Sequence, residues 1–132
     1  MYYSNSKLKW MMKVNTSIKQ VIVLRNDLNM RKGKMVAQGA HGSVMGVLAL
    51  PSDDKNRRIW LREGMTKIAV KCNSEEELHE LYTKAQELNI PVVKVTDAGL
   101  TEFDGVPTDT CIVLSPYTSE YIDQVTKNLK LL

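Results

Sequence analysis

Three cations lie close together in the stretch of this 132-residue chain whose residue types best suit chemistry. They are Arg31, Lys32 and Lys34, and they follow an apolar run and a polar turn. The start of a helix and the lysines beside it both attract negative charge. The stretch therefore predicts a site for a phosphate group or for an oxyanion that develops during a reaction. A solvated basic turn without a ligand is the alternative.

The polar residues that come next share one face of a predicted helix. Lys34, Gln38, His41 and Met45 recur at spacings that bring them onto one side. Glycines at 39, 42 and 46 weaken a helix by about 1 kcal/mol each relative to alanine. We therefore expect another backbone to approach this helix closely. Gln38, one turn from Lys34, suits a site well, whereas a lone helical histidine such as His41 is more often a packed, hydrogen-bonded residue.

A second polar group follows the apolar run at 92–96. Asp97 and Thr101 open an irregular loop that continues to Thr110. If the first and third strands run parallel, this loop and the cationic stretch leave the same carboxyl edge of the sheet. Open α/β sheets bind ligands at that edge. The residues expected to converge there are Asp27, Lys32, Lys34, Asp97 and Thr101.

Strand and helix patterns alternate along the chain, which is typical of an α/β domain. Strands are predicted at 18–24, 67–72, 92–96 and 111–114, and helices at 33–50, 59–63, 75–88 and after Pro116. No helix connects the third and fourth strands, so the fourth strand is free to run antiparallel. We expect a single three-layer α/β/α domain from 18 to 132 with a mixed four-stranded sheet. Residues 1–17 are expected to form an N-terminal extension whose function the sequence does not indicate.

The composition is that of a soluble globular protein, with 43% hydrophobic and 25% charged residues. The chain has neither the run of about 20 apolar residues that a membrane helix needs nor a signal-peptide pattern. A net charge of +3 permits a polyanionic partner. Cys72 and Cys111 lie in apolar runs and are expected to be buried, reduced thiols. Neither a phosphate-binding P-loop, a serine nucleophile motif nor a zinc-ligand spacing is present.

Three motifs closely resemble the type 2 peptidyl-tRNA hydrolases, the archaeal and eukaryotic form of that enzyme. They cover the chain from about Ile18 to its end in the order that the family has. The motifs are Arg25-Asn-Asp-Leu-x-Met-x-Lys-Gly-Lys-x-x-Ala-Gln-x-x-His41, Asp97-Ala-Gly-x-Thr101 and Asp123-x-Val-Thr-x-x-Leu-Lys-Leu-Leu132.

The resemblance implies hydrolysis of the ester that joins a peptide to the 3′ ribose of tRNA, by a cytoplasmic homodimer without metal or other cofactor. Lys34 would supply positive charge for the oxyanion, Asp97 would orient Lys34 or the water, and Thr101 would supply a hydroxyl. Further substrate contacts are expected from Asp27, Lys32, Gln38, His41, Thr108 and Thr110. Contacts to the tRNA backbone are expected from Arg25, Arg31, Arg57, Arg58 and Arg62. The sequence does not assign the general base.

The chain departs from the family pattern beside Asp97. Where the family usually has Arg-Thr-Gln, this chain has Leu100-Thr101-Glu102, and the loop onward to Thr108 is one residue longer. The rim of the site is therefore less positive, and we expect a working hydrolase with weakened substrate capture. Two alternatives stay open: a module that binds tRNA or a protein without turnover, and a hydrolase for a different ester or amide.

Overall fold

Five strands and four helices alternate along residues 17–100 and 102–132, the part of the chain that the computed structural model describes. In chain order they are β1 (Ile18–Arg25), α1 (Lys32–Leu48), α2 (Lys55–Arg62), β2 (Lys67–Cys72), α3 (Glu75–Glu87), β3 (Val92–Asp97), β4 (Thr108–Thr118), α4 (Ser119–Thr126) and β5 (Lys130–Leu131). The predicted N-terminal extension, apart from Ser17, lies outside the described residues. No helix in the described part of the chain has the length and apolar character to cross a membrane.

The sheet has the strand order β3-β4-β1-β2-β5. β1 pairs with β2 in parallel, while β4 lies antiparallel between β1 and β3. β1 and β3 therefore run in the same direction, as the alternation of strands and helices predicts. Their carboxyl ends lie at one edge of the sheet, two strands apart. The prediction of an antiparallel fourth strand is also confirmed.

The prediction of four strands is wrong, because the C-terminal residues form a fifth. α4 ends at Thr126, and Lys130 and Leu131 pair antiparallel with Lys71 and Val70 of β2. The helical spacing of Ile122, Val125, Leu129 and Leu132 predicts instead that the helix after Pro116 continues to the end of the chain. A strand of two residues is too short to show alternation, and the leucines at 129 and 132 fit a helical spacing by chance.

Two other elements differ from their predicted bounds. α2 begins at Lys55, because the Asp54 carboxylate accepts a hydrogen bond from the Arg57 amide at 2.9 Å and caps the helix. β4 begins at Thr108, inside the predicted loop, and runs past Leu114 to Thr118, although Pro116 argues against a central strand. The proline is accommodated because the pairing of β1 with β4 shifts register at this point.

Helices cover both faces of the sheet, which confirms a single three-layer α/β/α domain. α3 and α4 pack on one face, where the larger core includes Val23, Leu78, Ile112 and Ile122. α1 packs on the other face against a smaller core that includes Val113. Cys72 and Cys111 are buried and unpaired, and burial raises the pKa of Cys72 to about 11 and that of Cys111 to about 12.

α1 lies very close to the sheet, as its glycines predict. A Cβ at Gly42 would overlap a methyl of Val113, and one at Gly46 would crowd Gln20 and Ser115. Buried hydrogen bonds reinforce this contact: Gln20 Nε2 donates to the Ser43 carbonyl at 3.1 Å, and Ser115 Oγ donates to the Gly46 carbonyl at 2.8 Å. The helix that carries Lys34 is therefore fixed in depth and rotation along its middle.

Candidate active site

Lys34 and Asp97 form an ion pair at the carboxyl edge of the sheet. Lys34 lies in the first turn of α1, and Asp97 is the last residue of β3. The ammonium lies 2.7 Å from Asp97 Oδ1, and the two side chains are 14% and 13% exposed. Because few waters compete at this depth, the pair is stronger than one on the open surface. The two polar segments thus meet, as parallel β1 and β3 require.

Gln38 extends this ion pair into a chain of hydrogen bonds. Its Nε2 donates to Asp97 Oδ1 at 3.3 Å, and its Oε1 accepts from the Thr110 hydroxyl at 2.5 Å. Gln38 and Thr110 are both buried. Because Thr110 uses the amide oxygen as its acceptor, the amide nitrogen must face Asp97. The chain from Thr110 through Gln38 and Asp97 to Lys34 therefore has a defined direction.

A β-bulge aims Thr110 at Gln38. Val95 pairs with Cys111 and Thr96 pairs with Asp109, so Thr110 has no partner in β3. The extra residue allows two successive side chains to reach α1, since the Cys111 thiol also lies 3.6 Å from the Gln38 carbonyl. Asp109, on the other side of the bulge, bonds instead to Thr96. Without the bulge, strict alternation would direct only one of the two neighbours toward α1.

The loop after β3 fixes the second oxygen of Asp97. The Gly99 amide donates to Asp97 Oδ2 at 2.8 Å, and Gly99 has a φ of 81°, which favours glycine. A Cβ here would also overlap the Val106 backbone. The hydrogen bond from Lys34, followed by that from the Gly99 amide, lowers the pKa of Asp97 below its usual range. Asp97 is therefore a carboxylate at neutral pH and a weak proton acceptor.

The loop after β3 also brings an aromatic ring to Lys34. The ring centroid of Phe103 lies 5.7 Å from the ammonium, within the range of a cation–π contact. Thr108 pairs with Asp97 across the two strands, and its hydroxyl donates to the Val106 carbonyl at 2.9 Å. Thr101, predicted as catalytic, lies outside the described residues. Phe103 was not predicted, because a single aromatic residue in a loop leaves no periodic signal.

Arg25 and Asp27 bond to each other beside this site. Arg25 Nε and one terminal nitrogen donate to the two oxygens of Asp27 at 3.2 and 2.7 Å. The Arg25 side chain is only 9% exposed and that of Asp27 is 34% exposed. The hydrogen bond to Arg25 lowers the pKa of the Asp27 carboxyl. Little of Arg25 is left for a phosphate, so the structure favours a structural role over the predicted contact with tRNA.

The other predicted substrate contacts lie in different surroundings. Arg31 and Lys32 are exposed beside the ion pair, and Arg31 lies 3.9 Å from Glu102. His41 is exposed on the same side of α1 as Lys34 and contributes to the low pKa of Asp97. Arg57 is partly buried and donates to the carbonyls of Val47 and Leu50, at and just beyond the C-terminal end of α1.

Lys34 and Val47 are 13 residues apart along α1, or about 20 Å at about 1.5 Å per residue. Arg57, which bonds to the Val47 carbonyl, therefore lies at the far end of the helix from Lys34. Arg58 and Arg62 are exposed on the same short helix, α2. These three arginines belong to the far end of α1, and they are not brought together with the ion pair.

A second polar cluster, which the sequence did not indicate, centres on Asp109. Its carboxylate contacts Thr96 at 2.6 Å, His79 at 2.8 Å and Lys94 at 3.3 Å. Burial raises the pKa of Asp109, but these three partners outweigh it, and the net effect is a lowered pKa. Among the described residues, Glu75, His79 and Asp109 have donor atoms close enough for a metal ion. Lys94 already supplies a positive charge to that cluster.

The chain matches the family model described as peptidyl-tRNA hydrolase PTH2 over residues 18–132. This chain belongs to the PTH2 family. Curated peptidyl-tRNA hydrolases agree: that of Methanocaldococcus jannaschii is 45% identical, with 87% of this chain and 100% of the relative covered. That of Thermococcus onnurineus is 43% identical, with 86% and 96% covered.

A solved structure supports the fold at greater distance. It is Atu0240, a protein of unknown function from Agrobacterium, with a TM-score of 0.56, 13% identity, and coverage of 87% of this chain and 97% of that chain. At this identity the likeness concerns the fold alone. Lys34, Gln38 and Asp97, which belong to the motifs quoted in the sequence analysis, meet at the carboxyl edge of the sheet.

Proposed function

We propose that this chain hydrolyses the ester bond between the peptide and the tRNA in peptidyl-tRNA, and that Lys34 and Asp97 carry the reaction. Membership in the PTH2 family supports the substrate and the reaction. The observation that carries the site is the chain of hydrogen bonds that ends on the Lys34 ammonium. It holds one positive charge in a fixed place at the edge where this kind of sheet binds ligands.

In the proposed reaction, water adds to the carbonyl carbon of the ester and a tetrahedral oxyanion forms. The Lys34 ammonium stabilises that oxyanion, because its position is set before the charge develops. The bond to the ribose 3′ oxygen then breaks, and the proton that the attacking water gave up passes to that oxygen, giving a free peptide carboxyl and a 3′ hydroxyl. Asp97 acts by orienting Lys34, since its lowered pKa makes it a poor base.

The tRNA is proposed to lie along α1, from the exposed Arg31 and Lys32 at one end toward Arg58 and Arg62 at the other. These cations are available to phosphates, and an enzyme that accepts many tRNAs must grip the backbone. Of the remaining predicted contacts, Asp27, His41 and Thr108 lie beside the ion pair, whereas Gln38 and Thr110 are buried and orient Asp97 instead. Binding should weaken steeply with salt, by roughly 0.9 in the log–log slope for each duplex phosphate contacted.

The protein is proposed to act in the cytoplasm as a homodimer. Val36 and Val44 on α1 are 72% and 59% exposed, and both line one apolar groove. The groove has a volume of about 630 Å³ and is also lined by Met35, Ala40, Ala69 and Leu132 among others. Exposed apolar surface of this kind is typical of an interface. Trp60 is buried at 3% and donates to the Thr66 carbonyl, so it belongs to the core and not to this surface.

The test of function is release of free tRNA from an N-acetyl-aminoacyl-tRNA by the purified protein. Small uncharged esters serve as controls for a general esterase. Multiple turnovers on the tRNA substrate and none on the small esters are expected. Tight tRNA binding without any release would replace this proposal with a binding module. Cleavage of the small esters at the same rate would indicate a different hydrolase.

The dimer is tested separately by light scattering after size exclusion. The wild-type chain should have twice the mass of the monomer, and Val44→Glu should shift it to the monomer because a charge enters the apolar surface. Glu87→Lys on α3 is the matched control and should leave the mass unchanged. A wild-type chain that stays monomeric at high concentration contradicts the proposal.

A further inference from the structure

The Arg25 guanidinium is almost fully used inside the protein. Two of its nitrogens hold both oxygens of Asp27, and the third donates to the backbone carbonyl of Asp109 at 3.1 Å. Glu75 lies 3.9 Å away on α3. The Arg25 side chain is only 9% exposed, so its guanidinium is held within the protein, while Asp27 is 34% exposed at the surface end of the contact. Charge-assisted, bidentate hydrogen bonds of this kind are strong and directional.

One side of this contact holds the loop between β1 and α1, residues 26–31. That loop leads into the first turn of α1, where Lys34 lies. Its N-cap residue, Arg31, makes no side-chain cap to the helix, so the cap itself does not fix the helix start. Asn29 has a φ of 51°, a conformation that needs support from its surroundings. The bidentate bond to Asp27 supplies that support from the rigid end of β1.

The other side of the contact holds β4 next to Thr110. Asp109 precedes the bulged residue, whose hydroxyl orients Gln38 and through it Asp97. A bulge interrupts the regular pairing with β3, so the strand here has fewer bonds to fix it. The guanidinium provides one from β1. Arg25 is thus a side chain that touches both the loop before Lys34 and the strand before Thr110.

We propose that Arg25 is a positioning residue for the hydrolysis: it fixes the distance between the Lys34 side and the Asp97–Gln38–Thr110 side of the site. This role rests on the proposed function and replaces a direct contact with tRNA. It depends on the planar fork of arginine, which makes three directed bonds at once. Lysine keeps the charge but cannot make that set of bonds.

Arg25→Lys tests this distinction, because a phosphate contact tolerates lysine and a three-way clamp does not. We expect kcat to fall about 10- to 100-fold, since small misplacements of reacting groups cost that much. KM and the salt dependence of tRNA binding should stay near the wild-type values. Lys127→Arg, a charge-conserving exchange at an exposed side chain just after α4, is the control and should change neither parameter.

Loss of folded protein is separated from loss of positioning by two further measurements. Val125→Ala, in the core on the far face of the sheet, serves as a variant with lowered Tm and intact kcat. Hydrogen exchange should be faster in residues 26–31 and 108–112 of Arg25→Lys and unchanged in Lys127→Arg. This readout needs no turnover, so it holds even if the wild-type chain shows none, which would instead count against the proposed function.

Wild-type kcat and unchanged exchange in Arg25→Lys would overturn the proposal. A raised KM with a shallower salt slope and normal kcat would also overturn it, in favour of a phosphate contact. If Arg25→Lys does not fold, Asp27→Asn takes its place, because that half-exposed residue loses the charge of the pair without leaving a buried cavity. It should lower kcat with little change in KM, and unaltered kcat in that variant would likewise reject the role.

Discussion

Lys34 depends for its orientation on residues that never need to touch the substrate. Asp97 holds the ammonium, Gln38 and the Gly99 amide hold Asp97, and Thr110 holds Gln38. Each link in this set is within hydrogen-bonding distance, and Gln38 and Thr110 are shielded from water. A charge fixed in this way needs little reorganisation when an oxyanion forms, which is the main source of electrostatic catalysis.

Lys34→Ala should lower kcat by about 10²- to 10³-fold, because one preorganised charge is removed from the oxyanion. Steady-state release of tRNA measures the effect, and circular dichroism verifies the fold. Lys127→Ala, an exposed lysine just after α4, is the matched control and should keep full activity. A folded Lys34→Ala variant with near-normal kcat would refute the assignment.

Asp97→Asn should reveal a pH-dependent part of the stability. The pKa of Asp97 is lowered in the folded protein, so its ion pair stabilises the fold above the unfolded pKa of about 3.9. That stabilisation is lost as the pH falls through the lower, folded pKa. Urea unfolding should show Asp97→Asn less stable than the wild type at pH 7, with the gap closing below about pH 3.9. If the difference in unfolding free energy between Asp97→Asn and the wild type is the same at pH 7 as below about pH 3.9, the charge of Asp97 does not contribute to stability.

The sequence indicated the chemistry of the site better than its packing. Lys34 and Gln38 were found because helical spacing puts residues four apart on one face, and Asp97 because it follows a buried strand. Phe103 and the Asp109 cluster were not found. Their positions depend on a loop turn and on the bulge at Thr110, and neither leaves a periodic pattern in the sequence.

At the scale of elements, α1 holds Lys34 and Gln38 near Asp97 because the middle of the helix lies directly against the sheet, with no bulky side chains between them. Gly42 and Gly46 leave the room, and Gln20 and Ser115 fill the contact with hydrogen bonds. A displacement of the helix would carry Lys34 and Gln38 with it, away from Asp97. The glycines therefore serve the site as much as the core.

Gly42→Ala should destabilise the protein by about 1–3 kcal/mol, because the added methyl overlaps Val113 and forces the helix outward. Gly33→Ala is the matched control, since nothing lies within 4 Å of a Cβ there. It should be neutral or stabilising by up to about 1 kcal/mol through helix propensity. Urea unfolding of both variants measures the difference, and equal stabilities would show that the helix does not need this close approach.

Helices and strands with several repeats of their hydrophobic pattern were predicted well, whereas very short elements were not. The helix predicted at 75–88 begins where expected, because the Ser74 hydroxyl accepts a hydrogen bond from the Glu77 amide at 3.0 Å and caps α3. β5 was missed because two residues cannot show alternation. Pro116 ended β4 too early in the prediction, because a register shift that accommodates proline is set by tertiary pairing.

At the scale of the whole molecule, charge is distributed unevenly between the two faces. Arg31 and Lys32 lie on the face of the sheet that α1 covers, whereas α3 on the other face begins with three acidic residues, Glu75, Glu76 and Glu77, in its first turn. A polyanion is therefore attracted to one side and repelled from the other. Leu100, which is 87% exposed, and Glu102, which lies near Arg31, reduce the positive charge at the site itself.

Replacing Leu100 with Arg and Glu102 with Gln should lower KM for peptidyl-tRNA and leave kcat nearly unchanged. The double variant adds a cation and releases Arg31 from its acidic neighbour, so it improves binding of substrate and transition state equally. Steady-state kinetics at fixed salt decides the result. Glu87→Gln on α3 removes one negative charge from the other face and should leave KM where it is. If the double variant keeps the wild-type KM, the rim charges do not govern capture.

The two buried cysteines make this protein a convenient object for thiol labelling. Cys72 and Cys111 are the only cysteines in the sequence, and their raised pKa values leave almost no reactive thiolate at neutral pH. A cysteine introduced at the exposed position of Glu87 would have an ordinary pKa of about 8.5 and would react with maleimide dyes in minutes. Mass spectrometry should find one dye on Glu87→Cys and none on the wild type. A fluorophore can then report tRNA arrival without removal of any native side chain from the core.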